Sequence, residues 1–239
     1  EIASCLVGSE MCIREGTHAI TLALQSTLKN NDELLYITGS PYDTLLEVIG
    51  INGNDVESLK EYGVRYNEVE LRDGRIDIPK VITAINDNTK VVAIQRSKGY
   101  DQRPSITINE IEQAITSIKE VYPNIIIFVD NCYGEFVEDK EPIEVGADLI
   151  AGSLIKNPGG GLAKIGGYIV GRQDLIERCG YRLTAPGIGK EAGASLNSLQ
   201  EMYQGFFLAP HVVSQSLKGA LFTSCLLYTS PSPRDKRQS

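Results

Sequence analysis

Two positions in this chain have surroundings that suit chemistry: an acid that closes an apolar run and a lysine that opens a glycine run. Asp130 ends the stretch NIIIFVD, and Lys156 sits inside AGSLIKNPGGGLAKIGG, residues 151–167. Ionising a carboxylate at the edge of a buried strand costs desolvation unless a cation stabilises it. An Asp after a strand also caps turns, so Asp130 alone decides nothing. A lysine amine attacks carbonyls only when deprotonated, and burial beside apolar or cationic groups lowers its pKa enough for that. Gly159, Gly160 and Gly161 would let the backbone pass close to a ligand, or take dihedrals other residues cannot. A solvated lysine beside a flexible turn is the plainer reading. Ser153, three residues before Lys156, could offer a hydroxyl to a phosphate.

A third feature is GTHAI at 16–20, which reads as the start of a helix. Free amides at a helix start, with Gly16 and the Thr17 hydroxyl, make a phosphate cradle. His18 reads as a packed or capping histidine rather than a catalyst. Each signal is modest, but together they supply what pyridoxal 5'-phosphate needs: a Schiff-base lysine, an acid for the pyridine nitrogen and a place for the phosphate. The rivals from another class are a module that binds a nucleotide or phosphate without chemistry and a fragment with no activity of its own. The glycine run lacks the GxxxxGK[ST] order of a phosphate-cradling loop, which counts against the first rival.

The elements that must position these residues alternate. GTHAITLALQSTLK carries apolar residues at helical spacing, and DELLYIT reads as a short buried strand. PYDTLLEVIG starts another helix, VRYNEVEL alternates as a strand, and DIPKVITAI is a helix capped by Asp77 with Pro79 in its first turn. TKVVAIQ is the next strand. Thr107 and Glu110 stand at capping-box spacing ahead of a long helix. NIIIFVD reads as a central strand buried on both faces. ADLIAGS and GGYIVG are strands flanking the glycine loop, and DLIERCGYRL and EAGASLNSLQEMYQGFFLA read as helices. The pattern predicts an α/β fold, a mostly parallel sheet covered by helices on both faces. In such sheets ligands bind beyond the carboxyl ends of the strands, where Asp130 and Ser153 fall.

The chain has 239 residues, 42% hydrophobic and 23% charged, with a formal charge of −8. That charge argues against nucleic acid or an anionic membrane as partner. Five cysteines stand at irregular spacing with no CxxC, which fits a reduced cytoplasmic protein without a structural metal. The two ends read differently from the rest. Residues 225–239, CLLYTSPSPRDKRQS, cluster Ser, Pro and basic residues, and we expect them not to order. They resemble translated adapter sequence, as does CLVGSEMCIR near the other end. The expected organisation is therefore a non-native end over 1–14, a domain over 15–224 truncated at both ends, and a non-native disordered tail over 225–239.

VDNCYGEF, DLIAGSLIKNPGGG, GTHAI and YITGSPYDTLLEVIG resemble the pyridoxal-phosphate enzymes of cysteine and methionine metabolism. More narrowly they resemble the bacterial methionine gamma-lyase-like group called aluminium resistance proteins. The resemblance implies the large domain of the fold type I aminotransferase-like superfamily, with the small C-terminal domain absent. It implies that Lys156 forms the Schiff base, Asp130 pairs with the protonated pyridine nitrogen and Tyr42 stacks on the ring. Gly16, Thr17 and Ser153 would hold the phosphate, and Tyr133 would meet the cofactor's phenolic oxygen. The activity implied is alpha,beta- or alpha,gamma-elimination from a methionine-, cystathionine- or cysteine-like amino acid, with Tyr42 a candidate acid for the departing sulfur. An aminotransferase or aldolase reaction on the same scaffold is the alternative. The intact protein would be a homodimer or homotetramer. Arg96 and Arg103 are the nearest arginines that could meet substrate, although structural roles suit both better. Two departures from the family pattern stand out: Glu15, where the adapter-like end joins, stands in place of a Ser before Gly-Thr, and Lys164 and Ile165 replace a Pro-Thr pair.

Overall fold

The apolar runs of the sequence become strands of one sheet. The computed structural model describes residues 4–7, 15–53, 56–99, 101–183, 187–188 and 197–229. Its strands are β1 (Ser4–Val7), β2 (Glu33–Tyr36), β3 (Arg65–Glu68), β4 (Thr89–Gln95), β5 (Ile126–Asp130), β6 (Leu149–Ser153) and β7 (Gly167–Gly171). They lie in the order β1-β7-β6-β5-β4-β2-β3. From β6 to β3 every pairing is parallel. β7 runs antiparallel to β6, and β1 antiparallel to β7, with Ser4 opposite Gly171. The expected mostly parallel sheet is present, with two antiparallel strands at one edge. The antiparallel turn follows from length: the loop from Ser153 to Gly167 holds no helix long enough to carry the chain back for a parallel strand.

Helices cover both faces. α1 (Gly16–Thr27), α2 (Asp43–Ile49) and α5 (Gln173–Leu183) pack on one face, where Ile20, Leu24, Leu45, Phe128, Ala151 and Leu175 are buried together. α3 (Ile78–Ala84), α4 (Ile108–Val121) and α6 (Leu199–Thr229) take the other, with Val81, Ile111, Ile127, Val129 and Met202 in a second cluster. β5 is buried along its whole length, as a continuous apolar run at the sheet centre requires. The Thr107 capping box forms with both bonds, and the Asp77 side chain accepts from the Lys80 amide. No helix among the described residues is long and apolar enough to cross a membrane.

Two expectations at the C-terminal side need correction. The helix expected over 191–209 begins at Leu199; residues 191–196 lie outside the described set. It does not stop before Pro210 but runs through it to Thr229, so Cys225–Thr229, expected not to order, are helical. Those five residues are exposed. A helix already nucleated upstream, anchored by Met202, Gly205, Ala209 and Val213, extends without needing to bury the added residues. Residues 230–239 of that tail lie outside the described residues.

Candidate active site

The order of the strands places a switch between β2 and β4: the chain goes from β2 outward to β3, then returns across β2 to β4 and on to β5. Such a switch opens a crevice at the carboxyl ends of the strands. Tyr42, in the loop after β2, crosses it: its amide donates to Gln95 Oε1 at the end of β4 at 2.9 Å. Gln95 pairs in register with Asp130 at the end of β5, and Asp130 pairs with Ala151 of β6. The predicted site residues therefore gather at one sheet edge, on the face covered by α1.

Asp130 is 2% exposed. Burial pushes its carboxyl above the usual range, and three groups pull it back: the Cys132 amide at 3.1 Å, the Cys132 thiol and Lys156. Lys156 stands at the head of the turn after β6, half-buried, with Nζ 4.3 Å from the centroid of the Tyr133 ring. Burial pulls its ammonium down, but Cys132, Tyr133 and Asp130 together outweigh it and hold the pKa above the ordinary lysine value. This corrects the expectation of a lowered pKa. The lysine is surrounded by acidic and π-rich groups, not by cations, and these favour its charged form.

Cys132 was missed. It lies between Asp130 and Lys156, buried, with its thiol pushed well above the usual range by burial and by Asp130. Nothing in its spacing from other cysteines could have marked it; only its place two residues past the strand end could. Asn157 was also missed. Its side-chain amide donates to the Tyr133 and Glu135 carbonyls at 3.2 and 3.1 Å, tying the loop after β5 to the residue next to Lys156. Those bonds hold Tyr133 at a φ of 68°, a left-handed conformation that strains a non-glycine residue.

The helix start comes in from the same face. A Cβ on Gly16 would sit 3.0 Å from Ser153 Cβ and 3.2 Å from Cys132 Sγ, so only glycine lets α1 approach this closely. Tyr42 donates its hydroxyl to Thr17 Oγ1 at 2.9 Å, and burial raises its own pKa well above the phenol range, so it keeps its proton. Ser153 is 1% exposed, and its Oγ has no hydrogen-bond partner. The Tyr36 hydroxyl, fully buried near Asp130 and Tyr42, has none either.

Other expectations resolve differently. Gly159 and Gly160 serve packing rather than ligand approach: a Cβ on Gly159 would collide with the Leu154 carbonyl, and one on Gly160 with the Gly205 carbonyl of α6. Gly160 and Gly161 also take left-handed conformations. Arg96 is structural, buried against Asn131 at 2.8 Å, Glu138 at 2.8 Å and Glu141 at 3.4 Å. Arg103 donates to the Gln95, Ser97 and Pro104 carbonyls. Lys164 is a surface group paired with Glu201 of α6 at 2.9 Å. A cavity of about 510 Å³ under α6, lined by Glu135, Leu154, Tyr168, Met202 and Phe206 among others, includes neither Lys156 nor Asp130.

The donor set fits pyridoxal 5'-phosphate. A buried carboxyl lies at a strand end, a lysine faces it, and an unpartnered buried hydroxyl lies against a helix start where a phosphate is favoured. One feature of the cradle is unusual. The Glu15 carboxylate accepts from the Thr17 amide at 2.9 Å and from the His18 amide at 3.3 Å.

The sequence model of a family described as methionine gamma-lyase matches residues 3–238. The uncharacterized protein YnbB of Bacillus subtilis is 64% identical over 217 residues, which are 90% of this chain and 52% of YnbB. The crystal structure of a Listeria monocytogenes protein, a proposed cystathionine beta-lyase involved in aluminum resistance, is 57% identical with a TM-score of 0.91, covering 95% of this chain and 56% of that one. A carbon–sulfur lyase involved in aluminum resistance from Clostridium novyi is 46% identical with a TM-score of 0.86, covering 91% of this chain and 52% of its own. This chain thus spans about half the length of these relatives.

Proposed function

The chain belongs to the methionine gamma-lyase family, and from that membership we propose that it is the cofactor-binding large domain of a fold type I carbon–sulfur lyase that uses pyridoxal 5'-phosphate. The observation that carries this reading is Lys156 set against Asp130 and Cys132, with Ser153 and the start of α1 on the same sheet edge. Asp130 would hold a protonated ring nitrogen, Lys156 the carbonyl carbon, and Ser153, Gly16 and Thr17 the phosphate. Tyr42 would lie against the ring and Tyr133 near the phenolic oxygen. Bound there, the cofactor supplies an electron sink for charge developing at the alpha carbon of an amino acid.

The residues of this chain have the remaining roles. Lys156 takes the alpha proton onto Nζ, for which it must first give up the proton that Cys132, Tyr133 and Asp130 help it hold. Asp130 engaged with another cation releases one of those three holds. Tyr42 keeps its phenolic proton through burial, and to give it to a departing sulfur it would need its acidity raised by the bound cofactor and substrate. The substrate class, a methionine-, cystathionine- or cysteine-like amino acid, rests on the family and is an analogy at that level. We read the intact protein as a cytoplasmic homodimer or homotetramer; the buried free thiols of Cys132 and Cys179 fit a reducing compartment.

The test is a visible spectrum of the protein with pyridoxal 5'-phosphate, then borohydride reduction and peptide mapping. The expected result is a Schiff-base band that becomes a stable adduct on Lys156. Absence of that adduct, in this chain and in a full-length relative, overturns the reading. Ketoacid, ammonia and thiol from methionine or cystathionine would mark the lyase; amino-group exchange would mark an aminotransferase instead.

A further inference from the structure

We propose that Glu15 is an internal anion that fills the phosphate cradle of this chain and competes with a bound phosphate monoester for it. The inference rests on the cofactor reading above and concerns a residue that reading does not use. α1 is 12 residues long, its first amides lack partners within the helix, and its start lies against Ser153 at the end of β6 and Cys132 after β5. Two of those amides, on Thr17 and His18, are bonded to the two oxygens of the Glu15 carboxylate at 2.9 and 3.3 Å. A second observation marks the same place as a ligand site. Ser153 Oγ, 1% exposed, has no partner, and Ser153 lies against Gly16, 3.0 Å from where a Cβ would stand. The cradle thus presents one buried hydroxyl with nothing to bond and two amides already bonded to a carboxylate of the chain's own.

The physical consequence is competition. A carboxylate at a helix start is favourable for the helix for the same reason a phosphate is, since both answer the partial positive charge of the free amides. Both cannot use the Thr17 and His18 amides at once, and two anions held side by side repel. A phosphate entering this site must displace Glu15, losing two hydrogen bonds to gain its own. A short neutral cap would bond only one of these amides at a time and would set no charge against the phosphate. Serine, asparagine and aspartate all cap helix starts well, so the charge at position 15 can be varied while the cap is kept.

The experiment compares wild type with Glu15→Ser, Glu15→Asn and Glu15→Asp, all checked for equal helix content and melting temperature. Dissociation constants for pyridoxal 5'-phosphate and for pyridoxal, which lacks the phosphate, are read from the Schiff-base band. The expected result is that Glu15→Ser and Glu15→Asn tighten the phosphorylated cofactor by about tenfold with pyridoxal unchanged, while Glu15→Asp stays near wild type. Equal tightening of both compounds, or none, overturns the inference. Inorganic phosphate gives a readout that needs no cofactor: the two uncharged variants gain a phosphate-dependent rise in melting temperature that wild type and Glu15→Asp lack. If no band forms in any variant but the phosphate shift appears, the cofactor reading fails and the role of Glu15 stands. If the band forms and the shift is absent from the uncharged variants, Glu15 is a cap only.

Discussion

Asp130 and Glu135 lie five residues apart in sequence and on opposite faces of the sheet, and both are buried carboxyls. Asp130 is on the α1 face, where Lys156 and Cys132 meet it. Glu135 is on the α6 face, where Tyr168 donates its hydroxyl at 2.6 Å and the other carboxyl oxygen has no partner. Burial raises both, but the neighbours differ in sign. Asp130 faces a lysine that favours its charge, whereas Glu135, raised first by burial, feels the like charges of Glu141 and, through the sheet, Asp130, and its pKa is pushed up to about 8. Arg96, buried after β4, is engaged by Glu138, Glu141 and Asn131. Desolvation is common to the two acids; what separates a candidate cofactor anchor from a neutral buried acid is whether the fold places a free-ended cation against it.

The most severe way to break that comparison is to remove the cation. Lys156→Ala is expected to abolish the borohydride-trapped adduct entirely and, in a full-length relative, to lower elimination by roughly 10²–10⁴, the contribution of a positioned proton-transfer group. The adduct surviving on another lysine would break the assignment.

Neutralising each acid in turn is the next test. Asp130→Asn should weaken the cofactor by roughly 10²–10³-fold, since a buried cation left without its partner costs several kcal/mol. Glu135→Gln should change cofactor binding by less than about threefold, because a carboxyl titrating at about 8 is already neutral at pH 7. Equal effects of the two substitutions would erase the distinction between the faces.

The same contrast has a stability signature. The folded pKa of Glu135 lies at about 8 and its ordinary value at 4.5, so between those values the folded protein binds more protons than the unfolded chain. Stability from this group is full below about pH 4.5 and is lost as pH rises toward 8, by up to about 1.4 kcal/mol per pH unit. Urea midpoints measured from pH 5 to 8 should fall along that slope, and Glu135→Gln should flatten it. A slope unchanged by the substitution would place the proton elsewhere.

Most of this contrast could not be read from the sequence. Strand ends were legible, because a short continuous apolar run closing on Asp130 reads as a central strand, and β5 is one. Lys156, Ser153, Gly16 and Thr17 followed from that frame, since a parallel sheet brings strand ends and helix starts to one edge. The direction of β7 was not legible, as nothing in GGYIVG encodes parallel or antiparallel pairing. Nor was the environment of Lys156. Its pKa depends on Cys132, bonded to Asp130, and on Tyr133, whose loop is tied to the residue after Lys156 by the bonds of Asn157. Glu15 could be recognised as a departure, but its bonds to the Thr17 and His18 amides are a property of the folded helix start.

The smallest expected effect comes from the other lysine of the glycine loop. Lys164 shares the loop with Lys156 but is 81% exposed, and its partner Glu201 is 46% exposed. An ion pair in that setting is screened by solvent and contributes a few tenths of a kcal/mol at most, so Lys164→Ala should shift the urea midpoint barely beyond error. The adduct on Lys156 should form with unchanged yield. If Lys164→Ala instead weakened the adduct, the glycine loop itself would be tuning the site through its contact with α6. If it does not, the reactivity of Lys156 lies in what it faces, Asp130 and Cys132, rather than in the loop that carries it.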